Sequence, residues 1–87
     1  MKIISKPIDA VVVFKGIGKP LPYKFKYRLD SGEEKQITVN KILLVEEQKI
    51  AGIKTLVYDC QSRFGDVEKR YQLKYIIAEC RWELYKM

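Results

Sequence analysis

The sequence predicts an all-β protein: a six-stranded antiparallel meander that curls into a small, partly closed barrel of the SH3-like or Sm-like kind. Apolar side chains recur at every second position over most of the chain, which is the period of a half-buried strand. Clusters of Gly, Asp, Ser and Pro separate these alternating segments at short intervals, as turns do. A flat sheet of this size would leave its apolar face uncovered, so we expect the strands to curl and bury it.

The six predicted strands follow one another with short connections. Their ranges are 8–14 (IDAVVVF), 22–30 (PYKFKYRLD), 35–40 (KQITVN), 53–64 (IKTLVYDCQSRF), 67–77 (VEKRYQLKYII) and 80–87 (CRWELYKM). The predicted connections are a loop with two Gly and two Pro residues at 15–22 and tight turns at 30–34, 65–66 and 78–79. A chain of 87 residues is long enough for one core and too short for two, so we expect residues 1–87 to form a single domain.

One segment, residues 41–51, allows two interpretations. Ile42 to Val45 form an apolar block without clean helical spacing, which favours a strand to about Leu44 followed by one helical turn. The alternative is an α+β fold with a short helix at about 41–51, because Asn40 could cap its start and Gly52 follows its end.

The strictest alternation lies in residues 22–30, where aromatic and cationic side chains occupy alternate positions. It predicts that one face is buried and the other solvated, so the aromatic rings belong to the core and are not a platform for stacking bases. The predicted core residues are Tyr23, Phe25, Tyr27, Tyr71, Leu73, Tyr75, Trp82 and Leu84. Tyr85 is predicted to point outward, beside cations.

The net charge of +6 is confined to the first third of the chain. Residues 1–28 hold seven Lys and Arg against Asp9, whereas residues 29–87 hold equal numbers of cations and anions. This asymmetry is typical of a protein with a polyanionic partner or an anionic surface to bind. Solubility, and the protection of a strand edge by lysines, would produce it equally well.

The residue types exclude most catalytic and metal chemistry. The chain has no histidine, which removes the commonest general base, the Ser-His and Cys-His pairs and most zinc sites. Cys60 and Cys80 cannot form a structural zinc site by themselves, and both are predicted to be small core residues with free thiols. We therefore expect no enzyme activity, no metal and no cofactor.

The chain start, MKIISKPIDA, is interrupted by charges and Pro and does not resemble a signal peptide. Its longest apolar runs are far shorter than a bilayer crossing needs. We expect a cytoplasmic protein without membrane insertion.

These observations favour a small non-enzymatic binding module that contacts the backbone of a nucleic acid without base specificity, because such contact needs cations and no catalytic group. The candidate nucleic-acid-binding residues are Lys15, Lys19, Lys24, Lys26, Arg28, Arg70 and Lys74. The last two would join the others if their strand packs near residues 22–30. The alternative is a protein-interaction or assembly module that docks through a strand edge, with another protein or as a homo-oligomer.

The stretches ITVNKIL, IAG, YDCQSRFGDVEKRYQLKY and CRWELYKM resemble those of small all-β proteins of unknown function from Gram-positive anaerobic bacteria. The resemblance covers residues 8–87 and implies no particular activity. The order of the strands is also similar to that of SH3-like barrels. This is a likeness of fold alone, and such folds host many unrelated functions.

Overall fold

The computed structural model describes the backbone of all 87 residues and every side chain except that of Ile50. Seven antiparallel strands form one sheet that curls into a half-barrel. The strands are β1 (Ile3–Val13), β2 (Leu21–Arg28), β3 (Glu34–Thr38), β4 (Lys41–Ile50), β5 (Ile53–Phe64), β6 (Val67–Ile76) and β7 (Arg81–Lys86). A 3₁₀ turn at Ile77–Glu79 joins β6 to β7. In the described part of the chain, no helix is both long and apolar enough to traverse a bilayer.

The strand order is β3-β2-β1-β7-β6-β5-β4, so the first strand lies inside the sheet and pairs on both sides. The first half of β1 pairs with β7, where Ile8 lies opposite Trp82, and its second half pairs with β2, where Asp9 lies opposite Lys26. Next to this ladder, the backbones of Lys2 and Met87 exchange two hydrogen bonds of 2.9 and 3.0 Å. The two edges of the sheet are β3 and β4, which follow each other directly in the chain.

The predicted all-β class is confirmed, but the predicted count of six strands is one too low. Residues 41–50 form a strand of their own, β4, and do not extend the third strand to Leu44. The predicted helical turn after Leu44 and the alternative helix at 41–51 are both wrong. The reason is that β4 pairs with β5 from Lys41 to Ile50, so the ladder satisfies the backbone groups that a helix would have used.

Two of the hairpin turns consist of two residues each, and in both turns a glycine adopts a positive φ angle. Gly65, with φ +63°, and Asp66 connect β5 to β6 as the sequence predicts, in the pattern of a type II′ turn. Ala51 and Gly52 connect β4 to β5, and both have positive φ angles, +51° and +82°. That pattern defines a type I′ turn, in which Ala is an unfavourable first residue because its Cβ crowds the backbone.

The core fills the concave side of the half-barrel. Its buried side chains are Phe25, Ile37, Leu56, Tyr58, Cys60, Tyr71, Leu73, Trp82 and Leu84. Five of the eight predicted core residues are therefore confirmed, and Tyr27 and Tyr75 are half-buried at the margin. The prediction for Tyr23 is wrong, because this side chain is 59% exposed.

Buried hydroxyl groups connect β5 to more distant parts of the chain. The Tyr58 hydroxyl donates a hydrogen bond to the carbonyl of Pro20, in the loop that precedes β2. Ser62 donates to the carbonyl of Thr38 at 2.7 Å and also shares a hydrogen bond with the Tyr71 hydroxyl. Burial raises the pKa of Tyr58 to about 12 and also raises the pKa of Tyr71, so both groups stay protonated. These contacts hold the two ends of the sheet together around the core.

The two cysteines occupy opposite environments. Cys60 is fully buried, and its burial, together with the nearby charge of Asp59, raises the pKa of its thiol to about 12. The prediction of an inward Cys80 is wrong, because this residue is exposed. It follows the 3₁₀ turn with a left-handed φ of +50°, which interrupts the alternation before β7 begins.

We predict that a thiol reagent labels one cysteine of the native protein rapidly and the other only as fast as the protein unfolds. Cys80 should give the rapid phase, because its thiol is in contact with solvent, and Cys60 the slow phase, because its thiol is buried and protonated. Mass spectrometry of a labelling time course measures both. A rapid phase that survives in Cys80→Ser would contradict the assignment.

We also predict that Ala51→Asn stabilises the protein by about 0.5–1 kcal/mol, because Asn tolerates the left-handed conformation of the type I′ turn better than Ala. Thermal unfolding should shift upward by a few degrees. The control is Ala51→Val, which should lower the midpoint since a β-branched residue fits a positive φ worse. Equal midpoints for all three proteins would show that the turn is not strained.

Candidate functional site

A β-bulge at Tyr23 determines what the outer face of β2 presents. Val11 lies opposite Lys24 and Val12 lies opposite Pro22, so Tyr23 is an extra residue in β2. Pro22 explains the position, because a proline has no backbone N–H for the ladder and is tolerated at bulges. The bulge places the consecutive residues Tyr23 and Lys24 on the outer face, while Pro22 and Phe25 are buried.

This bulge creates a mixed apolar and cationic area on the β1–β2 hairpin, which we call the hairpin surface. It comprises Val11, Val13, Phe14, Lys15, Ile17, Lys19, Tyr23, Lys24, Lys26 and Arg28. Its apolar members are strongly exposed: Phe14 is 65% exposed and Ile17, at the tip of the loop, completely so. An exposed apolar cluster of this kind, rimmed by polar and charged residues, is typical of an interaction site.

The cations of the hairpin surface differ in how far carboxylates neutralise them. Arg28 forms an exposed ion pair of 3.1 Å with Glu34, on the neighbouring strand β3. Lys24 and Lys26 are not within ion-pairing distance of a carboxylate in the described part of the chain. Asp9 lies opposite Lys26 on β1 and is the acidic group nearest to it in register. Lys24, which is half-buried, and Lys26, which is exposed, are therefore the cations of β2 that have no ion pair among the described residues.

Two open hollows adjoin each other along the outer face of β2. The larger, of about 310 Å³, is lined by Asp9, Ala10, Val11, Lys24, Phe25, Lys26 and Gln36. The smaller, of about 200 Å³, is lined by Pro7, Ile8, Asp9, Lys26, Tyr27, Arg28 and Glu34. Both hollows are lined by Lys26 and Asp9, where they adjoin each other, and we call the two together the trough.

The other predicted binding residues lie in two different places. Lys15 and Lys19 are exposed in the loop between β1 and β2, beside Tyr23 at the same end of the hairpin. Arg70 and Lys74 belong to β6, which β7 and β1 separate from β2. The prediction included Arg70 and Lys74 in the binding site only if their strand packs beside residues 22–30. The structure shows that it does not.

Lys74 belongs instead to a second aromatic and cationic cluster, on the outer face of β6 and β7. Its ammonium lies 3.8 Å from the centre of the Tyr85 ring, and that of Lys86 lies 5.0 Å from it. Tyr85 thus points outward beside cations as predicted, but these lysines cover its ring. Glu83, opposite Lys74 in the ladder, adds a negative charge between this cluster and β1.

The arrangement of the hairpin surface suits non-covalent contact. Among the described residues there is no group of three or more His, Cys, Asp or Glu side chains that could hold a metal ion. What the surface offers is a line of positive charge at a spacing of about 6.5–7 Å between alternate residues of a strand, with an aromatic ring at one end.

A separate surface is the free edge of β4. This strand has ten residues and, at the end of the strand order, pairs only with β5 among the described strands. A bulge at Leu43 interrupts its ladder, and Leu43 and Leu44 are 43% and 48% exposed there. The other edge, β3, has five residues, of which Glu34, Lys35 and Gln36 are exposed, so it is short and polar.

Sequence reasoning missed Tyr23, Phe14 and Ile17 as surface residues. Alternation alone placed Tyr23 in the core, because it assumes an uninterrupted ladder. The signal that could have revealed the bulge is Pro22 directly before Tyr23, since proline within a strand marks an edge or a bulge.

Comparisons of the chain with protein-family models, with curated proteins and with solved structures found no match. The resemblance to small all-β proteins of Gram-positive anaerobes therefore stays a prediction.

Proposed function

We propose that this protein is a small non-enzymatic binding module whose hairpin surface contacts the phosphate backbone of a nucleic acid without reading its bases. The observation that carries the proposal is the pair Lys24 and Lys26, which face a trough along β2 with no carboxylate in ion-pairing distance. Lysines contact phosphates as point charges, independently of sequence.

The positions of the cations match a strand of nucleic acid lying along β2. Alternate residues of a β-strand are about 6.5–7 Å apart, close to the spacing of successive phosphates in an extended single strand. Lys15 and Lys19 continue the positive charge into the loop at the end of the hairpin. Four lysine contacts imply that the logarithm of the affinity falls with the logarithm of the salt concentration at a slope of about −3. Arg70 and Lys74, on a distant strand, have no part in this contact.

The test is the double variant Lys24→Glu and Lys26→Glu. We expect wild-type protein to bind oligonucleotides of any sequence weakly at about 50 mM salt, and the variant to lose binding to all of them alike, because two phosphate contacts become repulsive. Fluorescence anisotropy over a salt series measures both the affinity and the slope. The free energy of unfolding should change by less than about 0.5 kcal/mol, as is usual for surface substitutions.

Two control variants test whether binding depends on the hairpin surface or only on the net charge of the protein. Lys49→Glu with Lys54→Glu has the same charge change on the β4–β5 hairpin and should keep more of the binding. Asp9→Asn removes the carboxylate from the trough and should strengthen binding. Wild-type protein that binds no oligonucleotide at low salt would refute the proposal, as would equal losses in the two double variants.

The free edge of β4 supports a second candidate function, docking of another protein or of a second copy of this chain through strand addition. The observation in its favour is the exposure of Leu43 and Leu44 on an edge strand of ten residues that pairs on one side with β5. A strand edge offers unsatisfied backbone groups, and neighbouring apolar side chains add affinity.

This second candidate predicts that Leu44→Lys weakens self-association, because a lysine at an edge discourages pairing with another strand. Light scattering at several protein concentrations measures the oligomeric state. The matched control is Val67→Lys, which adds the same charge at an exposed apolar position away from the β4 edge and should leave the oligomeric state unchanged. A wild-type protein that stays monomeric at all concentrations excludes association with a second copy.

A further inference from the structure

We infer that the nucleic acid taken by the hairpin surface is single-stranded and that one of its unpaired bases stacks on the ring of Tyr23. This inference rests on the proposed function and specifies the ligand. Its basis is the β-bulge, which brings the ring of Tyr23 and the side chain of Lys24 to the same exposed face of β2. Without the bulge, these two consecutive side chains would point to opposite faces of the strand. Proteins that bind single strands without sequence preference combine such a ring with a positively charged groove.

The exposure of the Tyr23 side chain is sufficient for this contact. The side chain is 59% exposed, although neighbouring Phe25 is 1% exposed in the core. Val11 and Val13, also exposed, lie on the same face of the adjacent strand and widen the apolar area around it. Burying a base against this area would remove apolar surface from water.

The ring is also held on a rigid support. The backbone carbonyl of Tyr23 accepts a hydrogen bond of 2.9 Å from the N–H of Val39, on the side of β2 that faces β3. On its other side β2 pairs with β1 above and below the bulge. Tyr23 therefore projects from a strand that is fixed at both edges, so stacking costs little conformational entropy.

Tyr85, an outward-facing aromatic residue with neighbouring lysines, does not offer the same platform. The ammonium groups of Lys74 and Lys86 lie 3.8 and 5.0 Å from the centre of its ring, so its π face is already in contact with cations. Tyr23 has no such cation over its ring among the described residues. Its ring is available to a ligand, with the charge of Lys24 beside it.

A duplex cannot use this feature, because its bases are stacked on one another and present only their edges in the grooves. A single strand exposes base faces and can place a base on Tyr23 while its phosphates follow the trough past Lys24 and Lys26. The hairpin surface should therefore prefer single strands, and the preference should depend on Tyr23. Charge alone would bind the duplex as well.

The experiment measures binding of three ligands of one length and mixed sequence by fluorescence anisotropy: a single strand, the same strand in a duplex, and a strand of abasic sites. The proteins are wild type, Tyr23→Leu and Tyr23→Phe. We expect wild type to bind the single strand about 10-fold more tightly than the abasic strand, within the range measured for stacking on an aromatic residue. Tyr23→Leu should lose about the same factor on the single strand alone, and Tyr23→Phe should retain the affinity.

The outcomes distinguish this inference from the proposed function. If Lys24→Glu with Lys26→Glu abolishes binding while Tyr23→Leu binds every ligand as wild type does, the backbone contact stands and the stacking inference is overturned. Equal binding of the abasic and the normal strand by wild type overturns it without any variant. If wild type binds no oligonucleotide but binds phosphatidylserine vesicles, and Ile17→Asp abolishes that binding, both proposals fail and the surface is a lipid-docking site.

Discussion

The pairing of β1 with both β2 and β7 is the constraint on which the rest of the structure depends. It joins the hairpins of the first three strands to the meander of the last four and makes one sheet of seven. Without it, each group would leave an apolar face in water, because neither is large enough to cover itself. The contacts of Ile3–Ile8 with residues 82–86 are among the most distant in the chain, so this closure has a high entropic cost and slows folding. Buried hydroxyl contacts of Tyr58 and Ser62 reinforce it from the opposite side of the barrel.

Because of the same strand order, the uneven distribution of charge along the sequence becomes an uneven distribution of charge on the surface. All the excess positive charge lies in residues 1–28, which supply β1, β2 and the loop between them, whereas charges elsewhere balance. Because β1 and β2 are neighbours, their outward side chains form one basic area and are not dispersed over the molecule. Lys74 of β6 lies two strands beyond β1, with its ammonium over the Tyr85 ring and with Glu83 opposite it in the ladder. The candidate site is thus a property of one hairpin.

The bulge at Tyr23 shows how one backbone irregularity changes the chemistry of that hairpin. An uninterrupted strand would bury Tyr23 with Phe25 and present lysines alone, a surface suited equally to solubility and edge protection. With the bulge, the exposed ring of Tyr23 lies on the same face as Lys24 and Lys26, which line the trough. That combination favours a ligand that has both phosphates and exposed base faces.

The sequence by itself determined the all-β class, the positions of most turns and the inward direction of Phe25, Tyr71, Leu73, Trp82 and Leu84. These features are local: alternation and turn residues act over a few positions, where backbone sterics and burial are sufficient to predict them. It also located the basic residues, since charge can be counted without a fold.

The tertiary structure alone decided which strands are neighbours, that residues 41–50 form a strand, and that Tyr23 and Cys80 are exposed. Each of these depends on partners far away in the chain. β4 is a strand because β5 offers it a ladder, Tyr23 faces outward because β1 and β2 pair with an extra residue between them, and Cys80 lies in a turn whose form follows from the register of β6 with β7. Local patterns carry no information about such pairings, because the free energy that selects them comes from long-range hydrogen bonds and burial.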